Sequence, residues 1–383
     1  MIVEPKVRGF ICTTAHPAGC EENIKRQIEY AKQKGSANGP KNVLIIGGST
    51  GYGLASRIAA TYTCGAGTVN VMFEKGPKGK RTATPGLYNT RAFEKQAAMD
   101  GYYAKSINGD AFSNEIKQET VSLIKEDLGT VDMVIYSLAS PRRIAPDGIT
   151  YTSTLKTIGD AFTNKSLNLK TNMIEEATIY PAVQEEVDST VKVMGGEDWM
   201  LWMDALNSSG VLSDDAITVA YSYIGPKLTY PVYFNGTIGK AKEHLYETSL
   251  EITKKYPNIK AYISVNKALV TQASAAIPIV PLYIAIMYKV MKEKNIHEGC
   301  IEQMVRLFQE KISDSVITDD KNRIRLDDWE MRKDIQDNIM EYWKLVTTEN
   351  LQKMTDIEGY WDDFYHMFGF RFDNVDYTAD VEV

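Results

Sequence analysis

Asn42-Val43-Leu44-Ile45-Ile46 runs directly into Gly47-Gly48-Ser49-Thr50-Gly51-Tyr52-Gly53-Leu54-Ala55. A short uncharged run of β-branched and aliphatic residues, glycines spaced G-x-x-x-G-x-G and a small-residue helix start read as strand, tight turn and helix. Glycines at those positions let the backbone turn and approach a pyrophosphate, whose charge is met by amide N–H groups at the helix N-terminus. The expected fold class is therefore α/β, an enlarged Rossmann-type, doubly wound parallel sheet.

The next segments keep the βα alternation. A strand over Thr68 to Glu74 ends in Phe73-Glu74. An acid there can accept hydrogen bonds from adenosine ribose hydroxyls and repel a 2′-phosphate, which favours NADH over NADPH. Its separation from Gly47 is somewhat longer than the usual spacing of about twenty residues. A helix around Ala92 to Met99 and a strand near Tyr103 to Ile107 lead to Asn108-Gly109-Asp110-Ala111-Phe112, which sets Asp110 at a carboxyl edge where an adenine would lie. A helix over Asn114 to Asp127 and a strand over Val131 to Ala139 then deliver Leu138-Ala139-Ser140 to the same edge.

Residues 141 to 200, rich in Thr, Asn and Lys, break the pattern and read as an insertion, followed by a helix running to about Leu206. The stretch Ile217 to Leu245 opens as a buried strand, turns through Gly225-Pro226, carries Tyr223, Tyr230 and Tyr233, and enters a helix near Gly236-Thr237 that holds Lys240 and Lys242. A phenol near an ammonium suits proton donation to a carbonyl, because the cation favours the phenolate. On one straight helix, at roughly 100° per residue, Tyr233 and Lys242 would face opposite ways. They converge only if Tyr233 lies in the loop before the helix and points back over it. The alternative is that these tyrosines are core or surface aromatics.

A strand over Lys260 to Val265 precedes 21 uncharged residues between Lys267 and Lys289. That is about the length of a membrane span, but Gln272, two prolines and two hydroxyl residues favour a loop and a buried helix running to Met291. No integral membrane segment is expected. Helices are expected over His297 to Ile312 and Asp327 to Val346, then an aromatic tail from Tyr360 to Phe372. No repeat or low-complexity linker divides the chain. It reads as one enlarged domain over 1–383, with 1–140 mainly binding the dinucleotide and 141–383 supplying the Tyr/Lys pair and substrate-binding elements.

A net charge of -7 over 383 residues argues against a nucleic-acid surface. The N-terminus has neither the apolar run of a signal peptide nor an Arg/Ser-rich presequence, so a cytoplasmic location is expected. Four scattered cysteines do not make a disulfide framework. Cys12, His16 and Cys20 lack a fourth metal ligand nearby, and no metal is expected. His16, His244, His297 and His366 form no constellation with a nucleophile, which weighs against hydrolysis.

Taken together, these segments resemble the NADH-dependent trans-2-enoyl-CoA reductases, a bacterial family that also includes enoyl-[acyl-carrier-protein] reductases. The residues carrying the resemblance are the Gly47 to Gly53 loop, Phe73-Glu74, Gly109 to Ser113, Tyr136 to Pro141, Val193 to Trp199, Ala220 to Gly225, Gly236 to Lys242 and Val265 to Thr271. The eight-residue gap between Tyr233 and Lys242 separates this family from short-chain reductases with a three- or six-residue gap. The resemblance implies that Tyr233 donates a proton, Lys242 holds the nicotinamide ribose, and Tyr223 binds the substrate thioester carbonyl. It further implies that Gly47, Gly48, Ser49, Thr50, Gly51, Tyr52, Phe73, Glu74, Asp110, Ala111, Leu138, Ala139, Leu269, Val270 and Thr271 line NADH. The substrate would be an enoyl-CoA or an enoyl-acyl carrier protein, and the enzyme a monomer or weak dimer. The chain departs from the family at Leu87, where Trp is common, and at Phe234, where Arg is frequent; both positions bear on chain-length selectivity. Two other readings are weighed beside it: a dinucleotide sensor without catalysis, and a ketone or nucleotide-sugar reductase.

Overall fold

A computed structural model describes every residue except Phe10 and Ala273. Seven strands form one parallel sheet: β1 (Asn42–Ile46), β2 (Gly67–Met72), β3 (Ala104–Asn108), β4 (Val131–Tyr136), β5 (Leu212–Ser222), β6 (Lys260–Val265) and β7 (Arg323–Arg325). Their order across the sheet is β3-β2-β1-β4-β5-β6-β7, so the direction of winding reverses between β1 and β4. Loops leaving the carboxyl ends of those two strands diverge and open a crevice there, the place where doubly wound sheets bind ligands.

Helices cover both faces because the central strands are apolar on both sides. On one face pack α1 (Pro17–Lys34), α2 (Gly51–Cys64), α3 (Pro85–Met99) and the later α9 (Cys300–Arg306), around Ile24, Ile58, Phe93 and Met304. On the other lie α4 (Asn114–Asp127), α6 (Glu197–Ser208) and α7 (Thr237–Lys255), around Trp199, Trp202 and Leu245. The expected spans of β1, α4 and β6 match the structure residue for residue. Ser113 caps α4, accepting from Ile116 N at 3.2 Å, which explains that sharp start.

The uncharged stretch is core. Its helix, α8 (Val280–Glu293), has no exposure from Leu282 through Tyr288 and is enclosed by the helices that follow. Burying a Leu or Ile side chain contributes about 1.5–3 kcal/mol, so this helix seats itself between protein layers, and no described helix is long and apolar enough to cross a membrane.

Several expectations are corrected. The insertion itself is present, and it carries elements that the sequence did not announce: two antiparallel hairpins, Arg142–Ile144 with Thr150–Thr152 and Phe162–Asn168 with Met173–Ile179, then α5 (Gln184–Met194). The helix expected to run to about Leu206 is α6, which ends at Ser208; Gly195 and Gly196 separate it from α5, at positions where side chains would meet His244 and Thr248. β2 stops at Met72 and β4 at Tyr136, leaving Phe73-Glu74 and Leu138-Ala139 in loops. The helix expected from Asp327 starts only at Lys333, as α10 (Lys333–Leu345); the residues before it form a turn after β7. The helix expected over His297 to Ile312 is the shorter α9 followed by a wider turn over Leu307–Lys311.

Candidate active site

The glycine loop follows β1 and is shaped by close approach. A Cβ on Gly47 (φ +93°) would stand 2.5 Å from Ser137 O, and one on Gly53 would stand 2.1 Å from Gly47 O. Asn70 Oδ1 accepts from Gly48 N at 2.9 Å and fixes the turn from the neighbouring strand. At the start of α2, the N-cap Thr50 makes no side-chain capping bond and the first turn holds no acid. Unpaired amides there with no competing carboxylate suit a pyrophosphate. A cleft of about 210 Å³ opens beside Thr50 and Gly51, walled by Asn89, Leu269 and Val270. Just past β2, Glu74 is oriented by Ser49, whose hydroxyl donates to Oε1 at 2.6 Å. Gly86 makes room for that carboxylate, since a Cβ there would come within 2.1 Å of it. Phe73 beside it is 74% exposed.

Asp110 and Ala111 follow β3. Asp110 accepts from Phe112 N at 3.0 Å and so organises its own loop. The loop stands on a buried pillar: Lys117 Nζ donates to Ala111 O, Phe112 O and Asp198 Oδ1 at 2.9, 3.1 and 2.8 Å, while Tyr136 donates to Asp198 Oδ2. Burial pushes Asp198 up and Lys117 down, and their contact opposes both shifts. Glu197 next to it pairs with Arg143 and Lys192.

The chemistry-bearing residues cluster where β5 and β6 end. Tyr223 follows β5 directly. Tyr233 lies in the turn before α7, which is the condition that the spacing set, and its ring meets Tyr223 edge-to-face at 4.8 Å between centroids. Lys242, on the second turn of α7, donates to Tyr221 O at 2.8 Å rather than to Tyr233, and burial lowers it to about 8. Burial and the nearby Glu330 carboxyl push Tyr233 up, so its proton is in place at neutral pH. After β6, the 267–271 loop is pinned from three sides: Ala268 N donates to Glu330, Val270 N to Tyr288, and Thr271 N to Ser274.

The comparisons with known proteins agree on one family. Residues 81–313 match the trans-2-enoyl-CoA reductase catalytic region, and residues 2–79 match the NAD(P)H binding domain of trans-2-enoyl-CoA reductase. The chain belongs to the trans-2-enoyl-CoA reductase family. A Flavobacterium johnsoniae enoyl-[acyl-carrier-protein] reductase [NADH] is 58% identical over 100% of this chain and 98% of its own length. A Ruminiclostridium cellulolyticum trans-2-enoyl-CoA reductase [NADH] is 54% identical, with the same coverage. Among solved structures, the Treponema denticola trans-2-enoyl-CoA reductase in complex with NAD superposes with a TM-score of 0.96 at 48% identity, over 100% of this chain and 98% of that one.

A third match covers residues 318–381 and is described as an enoyl reductase FAD binding domain. The residues of this reductase do not fit a flavin there. The segment has two glycines, Gly359 and Gly369. Asp356 already accepts from Gly359 N, and Gly369 packs against His16 O and Cys20. The segment instead supplies β7 and helices that close over α8.

In this reductase the loops expected to line NADH all leave carboxyl ends of β1, β2, β3, β4 and β6, hence one edge of the sheet. Reasoning from sequence missed Glu330, Lys267, Asn70 and the Lys117–Asp198 pair. Asp198 stood inside the Gly195-Gly196-Glu197-Asp198 run without a role, and Glu330 sat in what looked like a helical charge pattern. Leu87 is buried and Phe234 is half exposed.

Proposed function

We propose that this reductase uses Tyr233 as proton donor, Tyr223 as carbonyl hydrogen-bond donor and Lys242 as the electrostatic support of both. The enzyme reduces the C2–C3 double bond of a trans-2-enoyl thioester, and NADH, when bound, supplies the hydride to the β-carbon. The observation that carries the roles of the tyrosines is the Tyr223–Tyr233 edge-to-face pair after β5; Lys242 is buried on α7 with its ammonium on Tyr221 O, at the end of the same strand.

Negative charge develops on the thioester oxygen as the β-carbon is reduced. Two phenolic hydroxyls meeting at that point stabilise it where it appears, which is worth more in a water-poor site than in bulk. Both phenols hold their protons, so both can donate. Lys242, charged for the most part at neutral pH, would make Tyr233 a better donor once substrate and NADH bring the two groups to one site, and Tyr233 would then supply the proton taken up at the α-carbon. The resemblance would run the apolar 273–288 segment along the acyl chain, but Leu282 through Tyr288 are fully buried core, and Ala273 lies outside the described residues. Ser49 and Glu74 would take the adenosine ribose, with Asp110 and Ala111 at the adenine and Leu138, Ala139 and the 269–271 loop at the nicotinamide half.

Relatives named for CoA and for carrier-protein substrates are similarly close, so the thioester itself is the common feature. We also read the chain as one enlarged domain, supported by β7 joining the sheet from the C-terminal segment, as a monomer or weak dimer, and as cytoplasmic.

The test is NADH oxidation at 340 nm with crotonyl-CoA, beside NADPH and acetoacetyl-CoA. Turnover with only NADH and the enoyl thioester is expected; silence in protein that still binds NADH would remove the reading. Tyr233→Phe is expected to lower kcat by about a hundredfold or more with NADH affinity kept. Retained turnover would move the donor role to Tyr223 or Tyr230.

A further inference from the structure

Glu330 is a fully buried carboxyl at the turn between β7 and α10, and three donors from distant parts of the chain meet on it. Tyr223 OH donates to Oε1 at 3.0 Å, Tyr283 OH of α8 to the same oxygen at 2.6 Å, and Ala268 N to Oε2 at 2.8 Å. Gln336 completes the shell by donating to the Tyr283 hydroxyl at 3.2 Å. Lys267 lies nearby, but its ammonium is turned to Ala268 O and Glu298 O, both at 3.2 Å. A buried carboxyl without a directly bonded cation is a poor device for stability, and apolar side chains of similar volume usually do as well. What it does provide is geometry: one rigid group holds a hydroxyl at the end of β5 and an amide at the end of β6.

We propose that Glu330 is a positioning residue that fixes the Tyr223 hydroxyl relative to the cofactor loop at Ala268. The inference rests on Tyr223 being the carbonyl donor. A phenol has one proton to give, and without substrate Tyr223 gives it to Glu330. When a thioester oxygen takes that hydrogen bond, Tyr283 and Ala268 still hold the carboxyl, so Glu330 stays in place and Tyr223 swings between two fixed acceptors. Tyr283 on the shared oxygen is the substitute donor that makes the exchange possible.

The experiment is a double-mutant cycle in the full-length enzyme with NADH and crotonyl-CoA, using Glu330→Gln, Tyr223→Phe and both together. Glutamine keeps one oxygen for Ala268 N and turns an amide toward the phenols, so NADH affinity is expected to change less than about threefold while kcat falls about tenfold. In the Tyr223→Phe background the same change is expected to lower kcat by less than about twofold, because residues acting through one another are not additive. Equal fold losses in both backgrounds, or a fully active Glu330→Gln enzyme, would overturn the inference. If Tyr223→Phe itself matches wild type, the carbonyl-donor role fails and the inference fails with it; a Tyr223→Phe loss alongside an additive Glu330→Gln loss removes the inference alone. Should Glu330→Gln not fold, Glu330→Asp, which keeps the carboxyl and withdraws it by one methylene, goes through the same cycle with the same criteria.

Discussion

Two buried lysines stand under the two ends of the cofactor edge, and they are held differently. Lys117, beneath the Asp110 loop, touches a carboxylate directly at 2.8 Å and two carbonyls besides. Lys267, at the start of the 267–271 loop, has carbonyls as its hydrogen-bond partners among the described residues, with the Tyr288 ring 5.0 Å from its nitrogen. The first is a neutralised pair that props a loop. The second is a buried cation without a bonded counter-charge, and burial lowers it to about 8, against the pull of Glu330 and Glu298. The difference matches the roles proposed for the two loops: one would seat an adenine, whereas the other would lie against the reacting ring, beside Tyr223 and Glu330.

The sharpest way to break this contrast is Lys117→Met. It leaves Asp198 buried with Tyr136 as its remaining side-chain donor, and loss of one partner of a buried pair costs about 3–5 kcal/mol. Urea unfolding followed by tryptophan fluorescence reads it; a loss under about 1 kcal/mol would show that the pillar carries little.

A smaller effect separates Lys267 from Lys117 through pH. A lysine lowered to about 8 in the fold binds fewer protons there than in the unfolded chain, where it titrates at 10.5. Stability therefore rises with pH between those values and is lost as pH falls through 8, by at most about 1.4 kcal/mol per pH unit for each such group. Lys242, lowered likewise, adds to the rise. Lys267→Met is expected to reduce this slope between pH 8 and 9, where the tyrosines of the unfolded chain are still mostly protonated. An unchanged slope would mean that Lys267 keeps its proton in the fold as it does in the unfolded chain.

The smallest expected effect lies at the ribose end. Glu74→Ala should relax the NADH/NADPH ratio of kcat/KM, and Ser49→Ala, which frees the carboxylate to swing, should do so by about 1 kcal/mol or less. A ratio unchanged in both variants would take Glu74 out of ribose recognition.

The two regions were also unequally legible. Around β1 the signal was local: an apolar run, glycines at fixed offsets and a small-residue helix start, each set by its own φ and ψ and by close neighbours along the chain. The Tyr233–Lys242 spacing fixed a condition, that Tyr233 precede the helix, and α7 starting at Thr237 meets it. The Phe162–Asn168 and Met173–Ile179 hairpin was not legible, because its strands are polar and half exposed and their stability comes from pairing with each other. β7 was missed for a related reason: three residues, Arg323-Ile324-Arg325, become a strand only because β6 offers them an edge.

By itself, then, the sequence determined a doubly wound sheet, a tight glycine turn at its crevice and the condition that Tyr233 precede α7, since periodicity, glycine freedom and spacing act over a few neighbouring residues. Tertiary structure decided which buried charges matter. Glu330 draws its donors from positions 223, 268 and 283, and Lys117 meets Asp198 from 81 residues away. A carboxyl or an ammonium has no preferred partner along the chain; only the packing that removes water from it determines which donor or acceptor must take water's place.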